Sequence, residues 1–208
     1  MARSVALACA ALLGCGQLGT YRTAEPLGAG RWRVGAAASA TGFVDVRDDV
    51  RTPSGQVELS VRRGVSAVLD LGASVFARGA AVDAQLALGR HRGWALAVHG
   101  ALGASVDRQV NVIGDGVYGH ARLGALATHA LGARWSVTTG AQLVLSRYWA
   151  DGGGHASGGL IGGFANLARA LRAGWSLVPE LTLLATAFGD VPVAGAVGQL
   201  GLGVARRW

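Results

Sequence analysis

From Arg31 to Trp208 the chain alternates large apolar residues with small or polar ones, segment after segment. A period of two is a strand signature, because successive side chains point to opposite faces of the backbone. In the closing stretch QLGLGVARRW, one set is Leu200, Leu202, Val204 and Arg206, and the other is Gln199, Gly201, Gly203 and Ala205. No run reaches the roughly 18 apolar residues that a spanning helix needs. Even so, mean hydropathy is +0.37 and hydrophobic residues make up 51% of the chain. That much apolar surface, spread along one face of many strands, needs either a core or lipid to cover it.

The pattern repeats along the chain. Val57, Leu59 and Val61 oppose Gln56, Glu58, Ser60 and Arg62, and Leu69, Leu71 and Val75 oppose Asp70, Gly72 and Ser74. Val82, Ala84 and Leu86 oppose Asp83 and Gln85, while Leu96 and Val98 alternate with Ala97 and His99. Tyr118, His120, Arg122 and Thr128 share a polar face, and Leu181 and Leu183 oppose Glu180 and Thr182. Ten such segments of about 8 to 15 residues emerge, an even number and long enough to cross a bilayer as tilted strands. The stretches 77–90 and 158–171 are weakly punctuated, so eight strands is the alternative. The connections fall into two alternating classes. One is tight (62–65, 90–93, 131–134, 172–174), and the other includes longer loops (45–54, 107–116, 149–158) beside short ones at 77–80 and 189–192. The fold expected is all-β: a closed, antiparallel, up-and-down transmembrane barrel with short turns at one end and longer loops at the other.

Tryptophan gives an independent marker. Trp32, Trp94, Trp135 and Trp175 each open a segment leaving a tight turn, and Trp208 ends the chain at the same height, with Trp149 at the opposite end. Indoles favour a membrane–water interface, where the ring meets acyl chain and the N–H meets water. A soluble sandwich or lipocalin-like barrel explains alternation, but not this level of tryptophan. The formal charge of +7 comes entirely from scattered Arg, with no basic patch interleaved with aromatics, so nucleic acid is not an expected partner.

The N-terminus reads as an exported leader, with Arg3 followed by an apolar stretch from Val5 to Leu13. Leu12-Leu13-Gly14-Cys15 resembles a bacterial lipobox, in which the cysteine becomes a lipidated first residue. The division expected is a signal peptide at 1–14, a Gly-rich periplasmic tether at 15–30 carrying lipid on Cys15, and a barrel at 31–208. With Cys9 removed with the leader, Cys15 has no partner for a disulfide.

Leader, alternating strands, short turns and a terminal aromatic together resemble a bacterial outer-membrane β-barrel. The resemblance covers 31–208 as a pattern. It implies residence in the outer membrane, contact with its lipids, and delivery to the barrel-assembly machinery through the last strand. Arg206 departs from the pattern where an apolar residue is commoner, a place from which a guanidinium can snorkel to the interface.

With the apolar faces on lipid, the inner wall carries Arg33, Glu58, Arg62, Asp70, Asp83, His99, His120, Arg122 and Glu180. Both signs are present, so pairing across a narrow lumen is expected. The many inward Gly and Ala leave room, which keeps a small-solute conduit open beside a purely structural role. Catalytic signals are thin. Asp151, His155 and Ser157 share the stretch WADGGGHASGG, and HAS is similar to the His-x-Ser pair of outer-membrane lipid A deacylases. Position 169, however, is Arg, and the next acid after the pair is Glu180. Omptin proteases are also ten-stranded, but with much longer extensions. The five His are dispersed without metal-ligand spacing, and no cofactor motif occurs, so no catalytic site, metal or cofactor is expected. Loops that bind an external partner, as in an adhesin, are a further alternative.

Overall fold

The computed structural model describes residues 18–45, 50–107, 116–150, 153–189 and 195–208. The leader at 1–14, Cys15 and Asp151 lie outside them. Ten strands form one closed antiparallel barrel: β1 (Trp32–Asp45), β2 (Val50–Gly64), β3 (Leu69–Phe76), β4 (Gly79–His91), β5 (Trp94–Asp107), β6 (Gly116–Ala130), β7 (Trp135–Ala150), β8 (His155–Ala170), β9 (Trp175–Gly189) and β10 (Gly195–Arg207). Ten is the count the periodicity gives, and the alternative of eight falls away because the weakly punctuated stretches 77–90 and 158–171 each contain an authentic strand.

Every strand pairs with its neighbours in sequence, and β1 pairs with β10 from Arg33↔Arg207 to Asp45↔Gly195. Below that register Trp32 and Trp208 exchange two main-chain hydrogen bonds, each 3.1 Å long. No edge is left, which is the condition for strands to cross hydrocarbon.

The alternation sorts side chains as a barrel in lipid requires. Val57, Leu59, Val82, Leu102, Leu123, Leu183 and Leu200 are exposed on the outer wall, Leu102 and Leu200 at 64%. Thr138, Thr182, Asp70, Gln142 and Asn166 are buried on the inner wall. The polarity is inverted relative to a soluble barrel, whose apolar face would be inside. Phe164 and Asn166, whose shared side weakens the pattern in that stretch, both face inward.

Three boundaries differ from the sequence expectation. β2 starts at Val50 and β8 at His155, so much of the loops expected at 45–54 and 149–158 is paired strand. Thr, Val and Ser fit a pleated backbone despite the neighbouring Gly and Pro. The β2–β3 connection is 65–68 rather than 62–65, because β2 runs on through Gly64. At the β4–β5 hairpin, Arg92 and Gly93 have φ of 48° and 83°. Such a two-residue turn with both φ positive matches strand twist.

The largest departure concerns the stretch expected to be a periplasmic tether. Leu18, Thr20, Arg22, Ala24 and Leu27 are buried, Ala24 completely, because residues 18–27 run inside the barrel. Gly30 N–H bonds the Gly64 carbonyl at 2.8 Å at the short-turn end. From there the segment climbs to Leu18, whose carbonyl meets Gln142 near the middle of β7. A tether free of the wall would leave the polar inner face facing empty space. Inserted, the segment supplies that face with partners.

Candidate functional site: the barrel lumen

The lumen is built by inward positions of all ten strands, and its occupant is residues 18–27. The wall reads the occupant's main chain. On the carbonyl side, Gln142 Nε2 donates to Leu18 O at 3.1 Å, Arg122 Nη1 to Gly19 O at 2.9 Å, and Arg33 Nη2 to Tyr21 O at 2.8 Å. Asn166 Nδ2 donates to Arg22 O at 3.0 Å, Gln85 Nε2 to Thr23 O at 2.9 Å, and Arg207 Nη2 to Leu27 O at 2.7 Å. On the amide side, Glu180 accepts from Thr20 N at 2.6 Å, Tyr21 N at 2.7 Å and the Thr20 hydroxyl at 2.7 Å. Thr128 Oγ1 accepts from Ala24 N at 2.7 Å, and the Asp70 carboxylate accepts from Leu27 N at 3.1 and 3.2 Å. Hydrogen bonds to charged groups contribute about 1.5–3 kcal/mol each, and an unmet buried group costs a comparable amount. The carboxylates and guanidinia of the wall are therefore committed largely to this backbone.

Of the nine inner-wall residues read from the sequence, Arg33, Asp70, Arg122 and Glu180 touch the inserted segment's main chain. Asp83 gathers two guanidinia: Arg62 Nη2 donates to its Oδ1, and Arg22 Nη1 stands 3.2 Å from the same atom. Glu58 is buried and lines a cavity of about 40 Å³ with Thr20, Tyr21 and Arg62. His99 is buried with its ring over Gly124, where a Cβ would collide with it. His120 packs against Phe76, with ring centroids 6.1 Å apart.

Tyr21 shows why the closing strand has glycines inside. A Cβ on Gly201 would collide with the Tyr21 hydroxyl, and one on Gly203 would lie 3.1 Å from its Cδ1. The two glycines are the seat of this ring. Burial, with Glu180 and Glu58 adding to it, pushes the Tyr21 phenol up to about 12 against a lowering hydrogen bond with Ser39.

Below the seated segment the lumen widens into a cavity of about 600 Å³ at the short-turn mouth, lined by Arg22, Arg31, Arg33, Arg62, Arg134 and Arg207 with Glu25 and Asp70. Around the outside runs the aromatic level. Arg63 lies over Trp32 at 5.3 Å, Arg169 over Trp135 at 5.1 Å, and Arg206 beside both Trp175 and Trp208 at 5.8 and 5.9 Å. Trp94 stacks on His129 at 5.0 Å, and at the opposite end Arg147 covers Trp149 at 5.6 Å. Arg206 thus has two cation–π partners at the interface.

His155 and Ser157 are on β8 rather than in a loop, opposite Trp149 and Arg147 in the register. Their positions alternate with inward-facing Tyr148 and Ala156, which puts them on the outer side. Among the described residues no group of three His, Cys, Asp or Glu is placed to hold a metal.

The residues that periodicity missed are Thr20, Tyr21, Arg22, Thr23 and Leu27, because an inserted extended segment has no strand neighbour to impose alternation. One signal in the sequence fits an occupant: the inner wall carries many Gly and Ala, which leave room inside the barrel.

No family model and no curated protein matches the chain. Among solved structures it is similar to Neisserial surface protein A, at 16% identity and TM-score 0.44 over 85% of this chain and 98% of that one. It is also similar to the outer membrane protease OmpT from Escherichia coli, at 6% identity and TM-score 0.48 over 86% and 96%. A third likeness is to the translocator domain of autotransporter NalP from Neisseria meningitidis, at 11% identity and TM-score 0.49 over 99% and 95%.

Proposed function

We propose that this chain is an integral barrel of the bacterial outer membrane with a structural role, its lumen filled by its own residues 18–27 and not open as a conduit. The observation that carries the reading is the inverted polarity of the wall. Leu and Val cover the outside, Trp–Arg pairs ring the short-turn end, and charged and amide side chains line the inside. Exposed apolar surface of that extent is incompatible with a monomer in water. The filled lumen supports a scaffold over a pore, because residues 18–27 occupy it and Arg33, Asp70, Arg122, Glu180 and Arg207 are bonded to their backbone. A non-catalytic reading is supported by the engagement of Asp70 and Glu180 with the inserted backbone and of Asp83 with two guanidinia, and by the outward placement of His155 and Ser157.

The test combines fractionation with conductance. The protein is expected in the outer-membrane fraction, migrating faster on a gel before boiling than after, and giving no stepwise conductance in planar bilayers. Recovery in the soluble fraction without heat-dependent migration overturns the membrane reading. Regular conductance steps from the intact chain overturn the filled lumen.

A further inference from the structure

The wall treats residues 18–27 as a binding site treats a peptide. Six carbonyls (18, 19, 21, 22, 23 and 27) are met by Gln142, Arg122, Arg33, Asn166, Gln85 and Arg207, and four amides (20, 21, 24 and 27) by Glu180, Thr128 and Asp70. Main-chain recognition of this kind holds an extended chain whatever its sequence, and specificity comes from side-chain pockets. Two side chains are read here. The Tyr21 ring lies on the glycine seat of Gly201 and Gly203, and the Arg22 guanidinium bonds Asp83 at 3.2 Å. Among the described residues the occupant is joined covalently to the barrel through 28–30, where Ala29 and Gly30 are exposed and Gly28 and Gly30 have φ of 86° and 76°.

We propose that the lumen is a peptide-binding site for an extended segment with an aromatic residue followed by Arg, filled in cis by residues 18–27 of the same chain. Wall and occupant are separate partners linked by a Gly hinge, and the contacts between them suffice to hold the segment once that link is cut. The site rests on the filled lumen described above but not on residence in a membrane, so detergent-folded protein tests it independently of fractionation.

The experiment uses the full chain with a protease site placed at the exposed 28–30 hinge, folded in detergent and then cut. The N-terminal fragment is expected to stay with the folded barrel band and to exchange with a fluorescent peptide of residues 18–27. A Tyr21→Ala, Arg22→Ala peptide is expected to compete at least tenfold less well. In the barrel, Glu180→Gln, which weakens the acceptor of two amides and a hydroxyl, is expected to speed fragment release by tenfold or more. Because Glu180→Gln folds poorly if the segment is needed during assembly, hydrogen exchange on the uncut native chain supplies a second reading. The Thr20, Tyr21, Ala24 and Leu27 amides are expected to be protected at least a hundredfold relative to Ala29. Immediate loss of the fragment with no uptake of labelled peptide, equal binding of a scrambled peptide, or unprotected amides at 20, 21 and 24 each overturns the proposal.

Discussion

Tyr21 is where the inside of the barrel is most exacting. Its ring fills the space that Gly201 and Gly203 leave, and its phenol is pushed up to about 12 by burial first, then by Glu180 and Glu58. The sign follows directly. A phenol whose folded value lies above its ordinary value near 10 favours folding in the neutral form, an advantage complete below pH 10 and lost as pH rises toward 12. Ultraviolet titration is therefore expected to include a late-ionising component from Tyr21, and Tyr21→Phe to reduce the late component while preserving seating at neutral pH. If the variant leaves the late component in place, the phenol responsible is not Tyr21. Gly201 and Gly203 themselves were legible only as small inward residues. Their purpose depends on a ring far away in sequence, which no local pattern encodes.

At the scale of the element, β10 does two jobs at once. Its outer residues Leu200, Leu202 and Val204 are exposed as a lipid face requires, and its inner Gln199 and Ala205 are buried. Trp208, just past its end, exchanges two hydrogen bonds with Trp32 and shares Arg206 with Trp175. Deleting Trp208 removes the last closing pair and an interfacial indole while leaving every wall contact to residues 18–27. The expected result is a clear fall in the folded, heat-modifiable fraction, with peptide exchange normal in the molecules that do fold. Normal insertion of the truncated chain would count against this role for the terminus. Strand identity and facing were readable from alternation in most elements, but not in the weak stretch at 158–171, where Phe164 and Asn166 share the inward side. Boundaries at Val50 and His155 were not readable either, because Gly, Pro and Asp near a strand end suggest a loop until a partner strand pairs with them.

For the whole molecule, the inserted segment bears on the N-terminal cysteine. Leu18 meets Gln142, which lies eight positions below Ala150 and seven above Trp135 along β7. At about 3.3 Å per residue those are roughly 26 and 23 Å of strand, whereas the step from residue 18 to 15 extends at most about 11 Å. Lipidation of Cys15 is therefore expected to compete with the seating of residues 18–27, because the acyl chains have to reach a bilayer from within that span. Intact-mass measurement of the heat-modifiable form is expected to find Cys15 without lipid. An acylated Cys15 in molecules whose Thr20 and Ala24 amides remain protected would refute this.

The sequence by itself determined the kind of wall: antiparallel strands numbering eight or ten, with most of the residues that meet lipid or face inward, and where the indoles stand. It could do so because a pleated strand in a two-faced environment imprints its period on every residue. Only the tertiary structure decided what the wall encloses. Thr20 and Glu180 are 160 positions apart, and a backbone bonded by side chains leaves no periodic trace in its own sequence. The many inward Gly and Ala recorded only that room was left inside. The closed barrel was needed to identify it as the chain's own N-terminal segment.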